Sequence, residues 1–130
     1  MLLDTSGLLC YLDKDDSLHE KAVEFFDSAD SMLVCDYVLA EFIPLCQVRG
    51  LNRDKTLAFV EVILASTLIE KIWTNENHYL TALELLKTRR DKTYSLCDAV
   101  SFVLMREHKI SEALTTDKHF EQEGFIRLLK

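Results

Sequence analysis

Glycine and proline are scarce in this chain: 3 Gly and 1 Pro in 130 residues. So few turn-formers do not suit a hairpin-rich sandwich or barrel, and the composition leans towards helices with a few buried strands. No CxxC pair joins any of Cys10, Cys35, Cys46 and Cys97, and each stands among apolar neighbours. They read as buried, reduced thiols rather than as a zinc or disulfide framework. Basic residues are outnumbered, 15 Lys and Arg against 22 Asp and Glu, for a net charge of -7. That balance is unsuited to a protein that coats DNA, which needs clustered cations against phosphate. It does not exclude a nuclease, whose cation-binding centre must itself be acidic.

Long apolar runs are missing as well. The strongest, Val62 to Ile69, falls far short of the roughly 18 residues a membrane-spanning helix requires. No basic segment precedes the apolar N-terminal run, so a signal peptide is not indicated and a cytoplasmic location without membrane contact is expected. An apolar fraction of 48% with 28% charged residues is that of an ordinary globular chain. A chain of this length buries roughly two-thirds of its unfolded surface in one core, so residues 1–130 are expected to form a single domain.

Short apolar runs alternate with helical patterns. Met1 to Asp4 reads as a buried strand followed directly by a helix over Ser6 to Leu12. Ser17 and Glu20 have the spacing of a capping box ahead of an amphipathic helix to about Ala29. Met32 to Cys35 is a second strand, and Asp36 is placed to cap a helix from Tyr37 to about Val48, ended by Gly50. Asn52 caps a helix to about Ala65, Leu68 to Trp73 reads as a strand, and Asn75 to about Arg90 as a helix. Ser95 caps another to about His108, with strands at Ala113 to Thr115 and Ile126 to Leu129. Strands alternating with helices predict an α/β fold: a three-layer α/β/α sandwich around a parallel sheet of about four to five strands.

Three carboxylates stand where apolar residues are expected. Asp4 is the only acid in "MLLDTSGLL", Glu41 the only charge in "YVLAEFIPLCQV", and Asp98 the only charge in "SLCDAVSFVLM". An unpaired buried carboxylate costs on the order of several kcal/mol unless a cation arrives. Each has a simpler reading alone: Asp4 and Asp98 as helix N-terminal charges, Glu41 as a solvent-facing residue. A fourth acid, Asp117 in "ALTTDKHF", follows a short strand as Asp4 follows the first. Ligands of open parallel sheets collect at the carboxyl ends of strands, so the four acids are expected to converge on one rim. Oxygen ligands of this kind suit Mg2+ or Mn2+ rather than Zn2+. His19, His78, His108 and His119 show no H-x-x-x-H pair, which also speaks against zinc. The stretch "DTSG" could mark an aspartic protease loop, but that chemistry sits on an all-β frame. A phospho-accepting aspartate lacks its D-x-D companion here.

In this order "LLDTSGLL", "LAEF", "SLCDAVSF" and "TTDKHF" closely resemble the PIN domain family, above all its VapC-type ribonuclease toxins of toxin-antitoxin pairs. The resemblance covers nearly the whole chain. It implies a PIN-like fold and an endoribonuclease, with Asp4, Glu41, Asp98 and Asp117 as the metal-binding acids and Thr5, Ser6 and Thr116 as neighbouring hydroxyl groups. His119 stands where many members carry a second acid. The resemblance further implies an RNA substrate, a homodimer and a small antitoxin partner; the alternative is an RNA-processing or RNA-binding module with no toxin role. Lys87, Arg89, Arg90 and Lys92 read either as a solvated helix end or as a rim gripping RNA phosphates. Trp73, Phe25 and Phe26 are read as core, and Pro44 is expected to bend the helix that carries Glu41.

Overall fold

The computed structural model describes residues 1–130. Five short strands, β1 (Leu2–Leu3), β2 (Met32–Cys35), β3 (Ile69–Ile72), β4 (Glu112–Leu114) and β5 (Ile126–Arg127), form one sheet in the order β3-β2-β1-β4-β5. Every neighbouring pair is parallel. Seven helices connect them: α1 (Thr5–Leu12), α2 (His19–Ser28), α3 (Asp36–Val48), α4 (Arg53–Ala65), α5 (Glu76–Thr88), α6 (Leu96–Glu107) and α7 (Lys118–Gln122). The expected α/β architecture is therefore formed, with five strands.

Strand alternation divides the core. Leu3, Val34 and Leu114 pack with Leu8, Val38, Phe42 and Ile63 of α1, α3 and α4. The alternate residues Leu2, Leu33 and Ala113 pack with Tyr94, Phe102, Met105 and Phe120. A strand buried on both faces by helices has to be apolar at every position, which is why β2 reads Met-Leu-Val-Cys with all four residues buried.

Local signals in the sequence were met unevenly. Asn52 caps α4 by accepting from Lys55 N at 3.0 Å, and Gly50 sits at φ +75° beyond α3, where a left-handed residue closes a helix end. The Ser17 capping box is not formed. Leu18 is the N-cap of α2 and makes no side-chain cap bond; Asp13 and Asp16 bind the backbone N–H groups of Asp15 and Leu18 and shape the turn instead. Nor does Asp36 cap α3. It is the first helical residue, and its carboxylate accepts from Thr74 N at 3.1 Å and Thr74 Oγ1 at 2.9 Å, joining the start of α3 to the end of β3. Helix α3 runs unbroken through Pro44. Trp73 is 65% exposed rather than core, because it lies one residue past β3, outside the helical cover.

Candidate active site

The chain leaves β1 towards β2 on one side, while β4, paired to the other side of β1, continues to β5. Diverging connections open a crevice at the carboxyl ends of β1 and β4, the place where open parallel sheets bind ligands. Asp4 and Asp117 follow those two strands. The register pairs Leu2 with Ala113 and Leu3 with Leu114, and Asp4 N donates to Leu114 O at 3.2 Å, so Asp4 comes to lie beside Thr115.

Gly7 makes that approach possible. A Cβ there would stand 1.8 Å from Leu114 O, so only glycine lets the first turn of α1 lie against the end of β4. The "DTSG" stretch is thus a strand end, a helix start and a close backbone crossing.

Asp4 is buried, at 5% exposure. Its Oδ2 accepts from Thr115 Oγ1 at 2.6 Å and from Ser6 Oγ at 3.2 Å. Thr115 Oγ1 also accepts from Asp117 N at 3.0 Å, and Ser6 Oγ accepts from Thr116 N at 3.0 Å. One hydroxyl therefore ties the Asp4 carboxylate to the backbone of Asp117. Burial pushes the Asp4 carboxyl up to about 6; the Thr115 hydrogen bond opposes the rise and the charge of Asp98 adds to it. Among the hydroxyl groups implied by the resemblance, Ser6 is engaged, the Thr5 hydroxyl is buried without a partner, and Thr116 contributes its backbone N–H rather than its side chain. Thr115 takes the place expected for Thr116, since strand alternation turns neighbouring residues to opposite faces.

Asp98 occupies the third position of α6. Its Oδ2 accepts from Ser95 N at 3.0 Å while Ser95 Oγ accepts from Asp98 N at 3.0 Å, a complete capping box. The structural reading of Asp98 is therefore correct, yet it leaves the second carboxylate oxygen without a protein hydrogen bond. Asp117 is the N-cap of α7, a helix the sequence reading did not anticipate, and its Oδ1 accepts from His119 N at 2.9 Å. The turn swings His119 back over the acids: Nδ1 lies 3.0 Å from Asp98 Oδ2 and 3.4 Å from Asp117 Oδ1. Ligand atoms of Asp98, Asp117 and His119 all lie within 4.8 Å of one another.

Glu41 is exposed on α3 and stands outside that tight group. Its charge nonetheless reaches the same region: burial first, then Glu41 and Asp4, push the Cys97 thiol upward. No Lys or Arg forms an ion pair with Asp4, Glu41, Asp98 or Asp117.

The basic stretch is mostly engaged elsewhere. Arg89 holds Glu123 through two bonds of 2.8 and 3.1 Å, joined there by Arg106 and by Tyr94 Oη at 3.2 Å. Burial alone would raise the Glu123 carboxyl, but the two guanidinium groups override it and hold it below its ordinary value. Lys87 pairs with Glu84 and Lys92 with Asp91, while Arg90 is exposed and makes no ion pair. Arg89 is thus a strut between α5 and the end of α7. None of the surface cavities is lined by Asp4, Asp98, Asp117 or His119.

The donor set fits a divalent cation: two carboxylates with free oxygens and an imidazole nitrogen gathered within one coordination sphere, beside a buried acid that has no cationic partner. Comparison with known proteins agrees with the fold. Over 126 residues the chain is 31% identical to ribonuclease VapC26 of Mycobacterium tuberculosis, covering 92% of this chain and 89% of that protein. The crystal structure of M. tuberculosis VapC20, described as a sarcin-ricin loop cleaving toxin, superposes with a TM-score of 0.90 at 26% identity, covering 99% of this chain and 98% of that one. The model of the PIN domain matches residues 1–125, and the chain belongs to the PIN domain family.

Proposed function

We propose that this protein is a metal-dependent endoribonuclease, cleaving RNA phosphodiester bonds by water attack, and the toxin of a toxin-antitoxin pair. The observation that carries the reading is the gathering of Asp98, Asp117 and His119 within 4.8 Å next to the buried Asp4. VapC26 and VapC20, named as a ribonuclease and a sarcin-ricin loop cleaving toxin, support the substrate class. Asp4, Asp98 and Asp117 would hold Mg2+ or Mn2+, which supplies an acidified water and neutralises charge on the phosphate and the leaving oxygen. Thr115 holds the Asp4 carboxylate at one oxygen, and the Ser95 box fixes Asp98, so both acids are oriented before substrate arrives. Glu41, exposed on α3, would orient the attacking water or hold the cation through a water. Arg90 is the remaining free cation of its stretch for RNA phosphates.

Exposed Trp73, Tyr79 and Leu80 around the β3–α5 connection are apolar surface of the kind covered by another protein chain, and support a homodimer or an antitoxin contact. No helix is long and apolar enough to cross a membrane. The buried reduced cysteines agree with a cytoplasmic site of action.

The test is incubation of the purified protein with total RNA in Mg2+, Mn2+ or chelator, followed by mapping of new ends. Discrete cleavage that disappears in chelator and in Asp98→Asn is expected; cleavage unchanged in excess chelator rejects the mechanism. Expression of the wild type in a bacterial host should slow growth, and Asp98→Asn should relieve it. Discrete RNA cleavage without any growth defect would favour an RNA-processing role instead.

A further inference from the structure

His119 is held at both ends. Nδ1 faces Asp98 Oδ2 at 3.0 Å and Asp117 Oδ1 at 3.4 Å, and Nε2 lies 3.1 Å from Thr93 Oγ1. The ring meets Tyr94 edge-on, with centroids 5.2 Å apart and planes at 63°. Its own N–H is bound to Asp117 Oδ1, so the residue carrying the imidazole and the carboxylate beside it are fixed in one turn. A threonine hydroxyl can accept as well as donate, so the contact with Thr93 is compatible with a proton on Nε2. In that tautomer Nδ1 presents a bare lone pair to two carboxylates. Lone pairs at this separation repel unless a proton or a cation stands between them.

Metal-binding imidazoles are characteristically held in this way, with the second ring nitrogen on a hydrogen-bond partner that fixes tautomer and orientation. A purely structural ion pair has no need of such a support, since an arginine or lysine in that position would neutralise the acids without a defined lone-pair direction.

We propose that His119 Nδ1 is a direct ligand of the cation, with Thr93 its supporting partner, so that the centre is a mixed nitrogen–oxygen site that selects Mn2+ and other transition ions over Mg2+. The inference rests on the metal-centre reading given above and makes it more specific. It also reverses the expectation that Zn2+ is a poor occupant, because imidazole favours zinc as carboxylate favours magnesium.

The experiment uses the full chain loaded with Mn2+ and examined by pulsed paramagnetic resonance. Wild type should show a directly bound nitrogen-14, its modulation should change when histidine is labelled with nitrogen-15, and it should vanish in His119→Ala. Calorimetric titration gives the second measurement. Replacing the nitrogen by oxygen in His119→Asp should lower the ratio of Mn2+ to Mg2+ affinity by at least about tenfold, the lower end of what altered ligand support costs. Bound Mn2+ with oxygen ligands alone overturns the proposal and leaves the nuclease reading standing. Failure of wild type to bind Mn2+ at all overturns both. An affinity ratio unchanged in His119→Asp also overturns the selectivity claim, even where the variant melts lower.

Discussion

At the scale of single residues, Asp4 is the carboxylate whose chemistry departs most from its ordinary state. Its carboxyl is held at about 6 in the fold, against 3.8 as the reference value. A folded value above the unfolded one means that its stabilising contribution is complete below about pH 3.8 and lost as pH rises through 6. Two units correspond to about 3 kcal/mol as an upper figure. In chelator, Asp4→Asn should therefore gain on wild type between pH 4 and pH 7, read as the difference in urea midpoints. An equal difference at both pH values would show that Asp4 titrates normally. The position of Asp4 was legible in its sequence because a lone acid in an apolar run is conspicuous. Its partner was not: Thr115 and Thr116 are adjacent hydroxyl residues, and only the pairing of Leu3 with Leu114 decides which one turns towards Asp4.

At the scale of elements, the site depends on how closely α1 approaches β4. Gly7 sets that distance, with Leu114 O only 1.8 Å from where a Cβ would lie. The clash is with backbone, which cannot rotate away as a side chain can. Gly7→Ala should destabilise the protein by about 1–3 kcal/mol, the usual range for overpacking, and pull Asp4 away from Thr115. Chemical denaturation measures the first effect, and weaker Mn2+ binding in the folded variant the second; an alanine variant with wild-type stability and Mn2+ affinity would refute the role of the contact. Helix starts were partly legible, at Asn52, Asn75 and Ser95, because each side chain finds its own backbone N–H three residues on. Ser17 and Asp36 carry the same local signal and do otherwise, since Asp36 finds Thr74 across the chain. Helix α7 was missed because one turn is too short for a periodic pattern to register.

At the scale of the whole molecule, carboxylates from the ends of β1, β4 and the start of α6 meet with few countercharges, so a divalent cation that binds only the folded state should stabilise the fold. At a free concentration about a hundredfold above its dissociation constant the gain is about 2.7 kcal/mol. For a domain of this size that is roughly 10 °C in melting temperature. Asp98→Asn should remove most of the Mn2+ increment while keeping the helix cap, since an asparagine oxygen can still accept from Ser95 N. Thermal melts with chelator and with Mn2+ compare the two, and an increment in the variant equal to that of wild type would make Asp98 a capping residue alone.

Apolar periodicity and the scarcity of turn residues determined the class of fold, and the isolation of Asp4, Glu41, Asp98 and Asp117 among uncharged neighbours determined which acids to watch. Both are properties of short stretches and survive in the unfolded chain. Tertiary structure alone decided that Asp98, Asp117 and His119 form the tight group while Glu41 stands apart on an exposed helix face, that Arg89 braces Glu123, and that Thr115 rather than Thr116 holds Asp4. Each of these depends on strand register and helix placement across separations of 21 to 111 residues, distances over which local propensity carries no information and only the packing of the two core faces brings side chains within hydrogen-bond reach.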